Sequence, residues 1–226
     1  MSTANSLREE AREQQRKALK GQPLKKKISY ILFYYKVYIA VALIVVIAGS
    51  IFVNKLIHYR YNALSVAMVN CASNVEYASY MDEYYAQSGV DDRHQMSIDS
   101  TYVFYGSNAD FQVEQKFFYA TAAGQVDIVI APKTFFDKYA QMGYMVDLSL
   151  VLTDEMKEKY ADCLYEVTLD SDHGGATEIS GIDITNFSAV VDGGWYTSCE
   201  EPVYAAITIE SENVTQALDF IEYLRK

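Results

Sequence analysis

The sequence predicts an α/β domain that follows a single transmembrane helix. Three observations predict this arrangement: a long apolar run near the N-terminus, alternating strand and helix patterns after it, and a division of charge along the chain. Residues 1–36 carry nine Lys and Arg against three Glu, a net charge of +6, whereas residues 56–226 carry nine Lys and Arg against 27 Asp and Glu, a net charge of −18. The acidic part disfavours nucleic acid and anionic lipid headgroups as partners.

The apolar run lies between Lys36 and Lys55, where 18 residues carry no charge. As a helix it would extend about 27 Å, close to the roughly 30 Å of a bilayer's hydrocarbon core. We therefore expect residues 29–56 to form a transmembrane helix, with the lipid bilayer as its partner. A soluble core helix is the alternative, but a domain of this size could hardly bury a helix that has no polar face.

The charges on either side of the run predict its orientation. Three lysines at 25–27 precede it, whereas only Lys55 and Arg60 follow it closely. Because cytoplasmic flanks are enriched in Lys and Arg, we expect residues 1–28 to be a basic cytoplasmic tail. Residues 57–226 are then expected to form an extracytoplasmic domain on a single-pass protein of the cell membrane.

The tail bears on whether the apolar run is an anchor or a cleaved signal peptide. Ser6 and Glu9 form a capping-box pattern that predicts a short helix up to Lys20. In the rival interpretation, Ala-Gly-Ser at 48–50 would be a cleavage site. Signal peptides total about 15–30 residues, whereas 36 residues already precede this apolar run. We therefore favour an uncleaved anchor.

Strand and helix patterns alternate through the outer part of the chain. Residues 126–131 are almost continuously apolar, which fits a strand covered on both faces, as in a parallel sheet. The alternation predicts an α/β layer with right-handed crossovers. Strands are predicted at 63–70, 97–106, 126–131, 165–169 and 201–209, helices at 73–87, from Asn108 or Asp110 to Ala123, and at 133–142, 153–163 and 211–226, and a Gly-rich loop at 171–198.

Helical spacing predicts which residues of two helices face the core. On helix 73–87 the expected buried face is Val75, Ala78, Met81 and Tyr85. On helix 211–226 the expected buried stripe is Val214, Ala217, Leu218, Ile221 and Leu224.

Three segments resemble known proteins. Residues 122–152 (AAGQVDIVIAPKTFFDKYAQMGYMVDLSLVL) and 203–224 (VYAAITIESENVTQALDFIEYL) resemble extracellular solute-binding proteins of ABC transporters. Residues 25–46 (KKKISYILFYYKVYIAVALIVV) are similar to the anchors of single-pass membrane proteins of Gram-positive gut bacteria that tether a reduced domain of this type.

The resemblance implies a fold as well as a general role. The outer part is too short for the two lobes usual in such proteins, so one lobe of a periplasmic-binding-protein fold is expected. Gly124, Asp127 and Asp147 match the family's pattern and are expected to serve turns and helix caps. The implied role is binding rather than catalysis.

No motif in the sequence predicts catalysis. The G-x-S-x-G motif, the phosphate loop and the dinucleotide fingerprint are absent, and the three histidines, His58, His94 and His173, have no partner pattern. The acidic run that begins at Asp170 lacks the third ligand of a calcium loop, and Gly181 stands where that loop needs Glu. We therefore expect no enzymatic activity, no cofactor and no metal site.

The three cysteines show no metal-binding spacing. A disulfide between Cys163 and Cys199 is possible outside the cell, and three free thiols, with Cys71, are the interpretation we prefer.

Aromatic residues supply the candidate binding site. The chain has 20 Tyr and one Trp, and aromatic faces stack on ligands and anchor protein partners. Ligands of α/β folds usually bind at the carboxyl edge of the sheet. We therefore expect ligand-binding residues at Trp195 and Tyr196, in the Gly-rich segment, and at Lys133, after strand 126–131. Four tyrosines of one predicted helix form either a second patch or part of the core: Tyr77, Tyr80, Tyr84 and Tyr85.

Together these features predict a membrane-tethered extracytoplasmic module that binds a small solute or an envelope protein. The alternative is a structural or assembly subunit of a cell-envelope complex.

Overall fold

The computed structural model describes residues 9–10, 13–14, 16–17, 20–21, 23–57, 61–73, 75–91, 93–104 and 110–226. The chain divides into two compact units, Met1–Tyr59 and Arg60–Lys226.

The first unit consists mainly of helix α1 (Leu24–Ile57). Its 23-residue segment Tyr35–Ile57 is long and apolar enough to cross a membrane, and none of its most apolar window is buried. The helix begins before the predicted residue 29. Pro23 can precede a first helical turn, and residues 24–29 contain neither Gly nor Pro. The predicted tail helix lies largely outside the described residues, although positions 9–10, 13–14 and 16–17 are helical.

The second unit is a six-stranded mixed sheet, in the order β2-β1-β3-β6-β5-β4, with helices on both faces. The strands are β1 (Tyr61–Val69), β2 (His94–Tyr102), β3 (Ile128–Pro132), β4 (Leu164–Thr168), β5 (Thr177–Asp183) and β6 (Val203–Ile207). The remaining described α-helices are α2 (Tyr77–Ser88), α3 (Asp110–Ala122), α4 (Lys133–Gln141), α5 (Leu148–Val151), α6 (Asp154–Lys159), α7 (Ser188–Asp192) and α8 (Val214–Arg225).

The sheet confirms the predicted α/β class but is only half parallel. β1 pairs in parallel with both β2 and β3. Beyond β3, the strands β6, β5 and β4 continue the sheet in antiparallel pairs. Sequence patterns predicted most of these strands, but they do not indicate whether neighbouring strands run parallel or antiparallel.

The strands separate two layers of core. Because side chains of a strand alternate between faces, Leu64 and Met68 of β1 face one layer while Ala67 and Val69 face the other. The first layer is covered by α2, α5, α7 and α8, and the second by α3 and α4. β3 is buried along its whole length, which confirms the prediction of a strand covered on both faces.

Two helices test the predicted burial patterns. On α8 the prediction is largely confirmed: Ala217, Leu218, Ile221 and Leu224 are buried, as is Phe220, while Val214 is half-buried. Of the face predicted for α2, only Met81 is fully buried, while Val75, which lies just before the helix, and Tyr85 are half-buried. Tyr77 and Tyr84 are buried with Met81, whereas Ala78 is exposed, because large aromatic rings bury far more apolar area than an alanine.

The predicted loop at 171–198 is also wrong, since it contains β5, α7 and a 3-10 turn (Ser171–His173). Its glycines suggested turns, but Gly181 lies within β5 for a packing reason. A Cβ atom there would lie 2.5 Å from Cζ of the buried Phe136 ring. A glycine in a strand can mark such a close approach. The predicted helix at 153–163 is shorter than expected and corresponds to α6.

Candidate binding site at the carboxyl edge of the sheet

The strand order creates a switch point between β1 and β3. The chain leaves β1 through α2 to reach β2, and returns from β2 through α3 to reach β3 on the other side of β1. Residues of α2 and α3 pack in different core layers, so the two helices lie on opposite faces of the sheet. In open α/β sheets, ligands bind in the crevice beyond the carboxyl ends of strands at such a point.

This crevice is occupied by the protein's own residues 193–202, which we call the crossing segment. The carbonyl oxygen of Trp195 accepts a hydrogen bond from Ala72 N, just after β1, at 2.7 Å. The hydroxyl of Tyr196 donates to the carbonyl oxygen of Ile130, in β3, at 2.9 Å. The crossing segment therefore contacts the carboxyl ends of both parallel strands that flank the switch point.

The end of the crossing segment contacts helix α4. The carboxylate of Glu201 accepts hydrogen bonds from Thr134 N at 2.8 Å and from Thr134 Oγ1 at 2.9 Å. Pro132, which precedes the helix, makes no side-chain cap, so Glu201 supplies the capping carboxylate from a distant part of the chain. Lys133 N also donates to Pro202 O at 2.9 Å. The structure thus brings together the two regions predicted to form the site.

Trp195 lies in the core. Its side chain is fully buried, and the rings of Tyr77 and Tyr80 meet it edge-on, with centroid distances of 5.6 and 5.2 Å. Its Nε1 is buried without a hydrogen-bond partner. No face of the indole is open to a ligand in this conformation, which favours a packing role. Ligand contact at Trp195 stays a prediction.

Tyr196 is 8% exposed and borders a small cleft of about 230 Å³. Typical ligand pockets measure about 300–1,000 Å³, so this cleft is small for a drug-sized solute. Burial raises the pKa of Tyr196 well above its usual value, and its hydroxyl is already bonded to β3. The cleft is lined by Thr185, Val190, Val191, Gly194, Tyr196, Thr197, Cys199, Glu201 and Val203.

Lys133 lies at the same edge, but its ammonium group already has partners. Nζ is 2.7 Å from Asp137 Oδ2, donates to the hydroxyl of Tyr165, and lies 4.5 Å from the centroid of that ring. The hydrogen bond to Asp137 is the main reason that the pKa of Lys133 is raised. The group therefore stays charged and internally neutralised, and ligand binding by Lys133 stays a prediction.

The described part of the second unit contains three cysteines and two of the three histidines. Burial raises the pKa of the Cys71 thiol, which disfavours the nucleophilic thiolate. Cys163 and Cys199 are also free thiols. His94 Nδ1 is buried without a partner, and His173 packs against Gly143, where a Cβ atom would lie 3.4 Å from its ring. His58 lies outside the described residues.

The structure also places the acidic residues that the sequence singled out. Within the described ranges, no group of three or more His, Cys, Asp or Glu is arranged to hold a metal ion. At Asp170 the chain turns, with its carbonyl oxygen accepting from His173 N at 2.9 Å. Asp147 caps α5 and Gly124 adopts a left-handed φ of 63° in a turn, which confirms the roles predicted for these two residues. The buried Asp127 instead joins β1 to the residues before α8.

Two features of the second unit were missed by sequence reasoning. The contact of Glu201 with Thr134 joins residues 67 positions apart, and no local pattern signals it. An exposed aromatic surface lies on α3, where Phe111, Phe118 and Tyr119 are 61%, 42% and 63% exposed. The aromatic patch considered on α2 is instead mainly packing, because two of its four tyrosines are buried and the others are half-buried.

Comparison of the chain with protein-family models, with curated proteins and with solved structures finds no significant match.

Proposed function

We propose that the protein is a membrane-tethered extracytoplasmic binding or interaction module, without catalytic activity, that resembles a reduced solute-binding protein. The observation that carries the proposal is the contrast between its two units. The segment Tyr35–Ile57 is apolar and unburied, whereas the unit after it is a compact α/β domain. A bilayer supplies the apolar surroundings that this helix needs.

The charge distribution supports the orientation. The +6 charge of residues 1–36 suits the cytoplasmic side, and the −18 charge of residues 56–226 suits an exposed, soluble domain outside a Gram-positive cell membrane. The state of three described groups near the crevice supports binding rather than catalysis. There the thiol of Cys71 and the phenol of Tyr196 have raised pKa values, and the ammonium of Lys133 is paired.

Extraction of membranes at high pH tests the anchor. The full-length protein, with its N-terminus intact by mass spectrometry, should remain in the membrane pellet. Replacing Ile44 and Val45 by Asp should release it, because each carboxylate at the bilayer centre costs about 2.5–3.5 kcal/mol. The same two substitutions at the exposed sites Thr197 and Ser198 provide the control. A shortened, soluble product of the unmodified chain would instead identify a cleaved signal peptide.

Thermal unfolding tests ligand binding by the domain. Sugars, oligopeptides, nucleosides, amino acids and divalent cations would each be added to the purified protein in detergent. A ligand present at 100 times its dissociation constant should stabilise the folded domain by about 2.7 kcal/mol, a readily visible shift. A selective shift would support a solute-binding module. Cooperative unfolding without any shift would favour the second candidate.

The second candidate is a structural or assembly subunit of a cell-envelope complex. It is favoured by the exposed aromatics of α3, because exposed apolar patches mark interaction surfaces and aromatic residues are enriched there. Affinity purification from membranes should then yield a stoichiometric partner that is lost when Phe118 and Tyr119 are changed to Ser. Leu150→Ser is a matched control, since Leu150 is 81% exposed on a different helix. Loss of the partner in both variants would argue against this surface.

A further inference from the structure

The crossing segment is held to the rest of the domain by few polar contacts. It begins at Gly193 and Gly194, the second of which has a left-handed φ of 64°, and it ends at Pro202. The Trp195 carbonyl accepts from Ala72 N and, at 3.3 Å, from the Tyr77 hydroxyl, and the Tyr196 hydroxyl donates to β3. Further polar contacts join Glu201 and Pro202 to α4. These contacts lie at the two ends of a short segment that crosses the sheet edge.

The closed position of this segment leaves one polar group unsatisfied. Trp195 is fully buried, yet its Nε1 has no hydrogen-bond partner. The indole lies tight against Gly193, where an added Cβ atom would come within 2.5 Å of Nε1. A buried donor without an acceptor disfavours the state that contains it. Packing therefore holds Trp195 in the crevice, whereas its unsatisfied Nε1 disfavours the closed position of the segment.

The contact with α4 is the most exposed of the segment's attachments. Glu201 is exposed, and its carboxylate caps α4 through Thr134 N and Oγ1. Capping interactions near solvent are individually weak and are screened by salt. This contact can therefore break without loss of the core.

Opening of the segment would uncover backbone groups at the switch point. Ala72 N and Thr134 N would lose their acceptors, and the carbonyl oxygen of Ile130 would lose its donor. These are the kinds of groups that α/β folds present to ligands at this position. Trp195 and Tyr196 would leave the first core layer, whereas the other buried residues of both layers lie outside the segment.

We propose that residues 193–202 form a strap that opens locally while the sheet stays folded, with the Glu201–Thr134 contact as its latch. The strap in its closed position fills the switch-point crevice, and opening makes the crevice accessible. This inference concerns the domain's own conformational equilibrium, and it requires neither a bound ligand nor the membrane anchor.

Hydrogen exchange with residue resolution, on the full chain in detergent micelles, tests the proposal. The Ala72 amide is the best reporter, because its acceptor is the Trp195 carbonyl and it does not itself contact Glu201. In the unmodified protein it should exchange at least about tenfold faster than amides inside β1 and β3, since local opening requires less free energy than global unfolding. Glu201→Ala should accelerate it by about a further tenfold, the effect expected for loss of a cap.

Glu200→Ala is the matched control, because it removes the neighbouring exposed carboxylate without removing the cap. It should leave exchange at Ala72 unchanged, and neither variant should accelerate exchange inside β1 and β3. Two results would overturn the proposal. In one, Ala72 in the unmodified protein exchanges as slowly as the strand amides. In the other, Glu201→Ala either leaves exchange at Ala72 unchanged or accelerates exchange in the sheet equally, which would show that the segment opens only with the whole domain.

Discussion

Replacing Asp127 by alanine tests how the central sheet is joined to the last helix. Asp127 is 2% exposed, and its Oδ2 accepts a hydrogen bond from Ser65 N, in β1, at 2.7 Å. Its Oδ1 accepts hydrogen bonds from Ser211 Oγ at 2.6 Å and from Asn213 Nδ2 at 3.1 Å. One buried carboxylate thus holds β1 and the turn before α8 together.

The expected loss of stability depends on which hydrogen-bonding groups lose their partner in the Asp127→Ala variant. Hydrogen bonds to a charged group contribute about 1.5–3 kcal/mol each, and a buried donor left without an acceptor costs about 1–3 kcal/mol. In the variant, Ser65 N would remain buried, whereas the half-buried Ser211 and Asn213 can turn toward water. We therefore expect Asp127→Ala to lower the free energy of unfolding by about 3–5 kcal/mol. Asp127→Asn retains one acceptor oxygen and should lower it by about 1–2 kcal/mol.

Urea unfolding of the full chain in detergent measures this loss through the fluorescence of Trp195, the only tryptophan in the chain. Asp147→Ala is the control, since Asp147 caps the four-residue helix α5 and its loss should cost about 1 kcal/mol. The reasoning would be refuted if Asp127→Ala were no more destabilising than Asp147→Ala. Equal losses for Asp127→Ala and Asp127→Asn would also contradict it.

Three further predictions follow from single contacts. Gly181→Ala would place a Cβ atom 2.5 Å from Phe136 Cζ, so it should lower the free energy of unfolding by about 1–3 kcal/mol, and adding Phe136→Leu should restore part of that loss. Tyr196→Phe removes the hydroxyl that donates to β3 and should lower the free energy of unfolding by about 1–2 kcal/mol. The hydrogen bond from Lys138 lowers the pKa of Glu114 below its ordinary 4.5, so its stabilising effect is present above that pH and is lost as the pH falls through the lowered pKa. Lys138→Met should return the pKa of Glu114 toward 4.5 in an NMR titration. Unchanged urea midpoints, or an unchanged titration, would contradict the corresponding contact.

Local patterns predicted the elements whose burial depends on their own periodicity. The apolar run at 126–131 indicated a strand covered on both faces, and β3 is such a strand. The stripe on α8 was also correct, because Ala217, Leu218, Ile221 and Leu224 recur at helical spacing. The length and composition of α1 were equally readable, since an apolar helix needs no tertiary partner to be recognised.

The features that could not be predicted depend on contacts between distant residues. β5 was missed because Gly181 looks like a loop residue until Phe136, on another element, is placed above it. The burial of Trp195 depends on the rings of Tyr77 and Tyr80, more than 100 positions earlier in the chain. For the same reason, a Gly-rich segment that suggested a ligand-binding loop turned out to fill the crevice itself.

Labelling of single cysteines in intact cells tests the central claim, that the acidic domain is tethered outside the cell membrane. In a chain without Cys71, Cys163 and Cys199, one cysteine would replace the exposed Leu150 or the exposed Lys20 of the tail. We predict that a membrane-impermeant maleimide labels Leu150→Cys in intact cells and Lys20→Cys only after permeabilisation. The opposite pattern, or recovery of the domain in the medium without its N-terminal residues, would contradict the account.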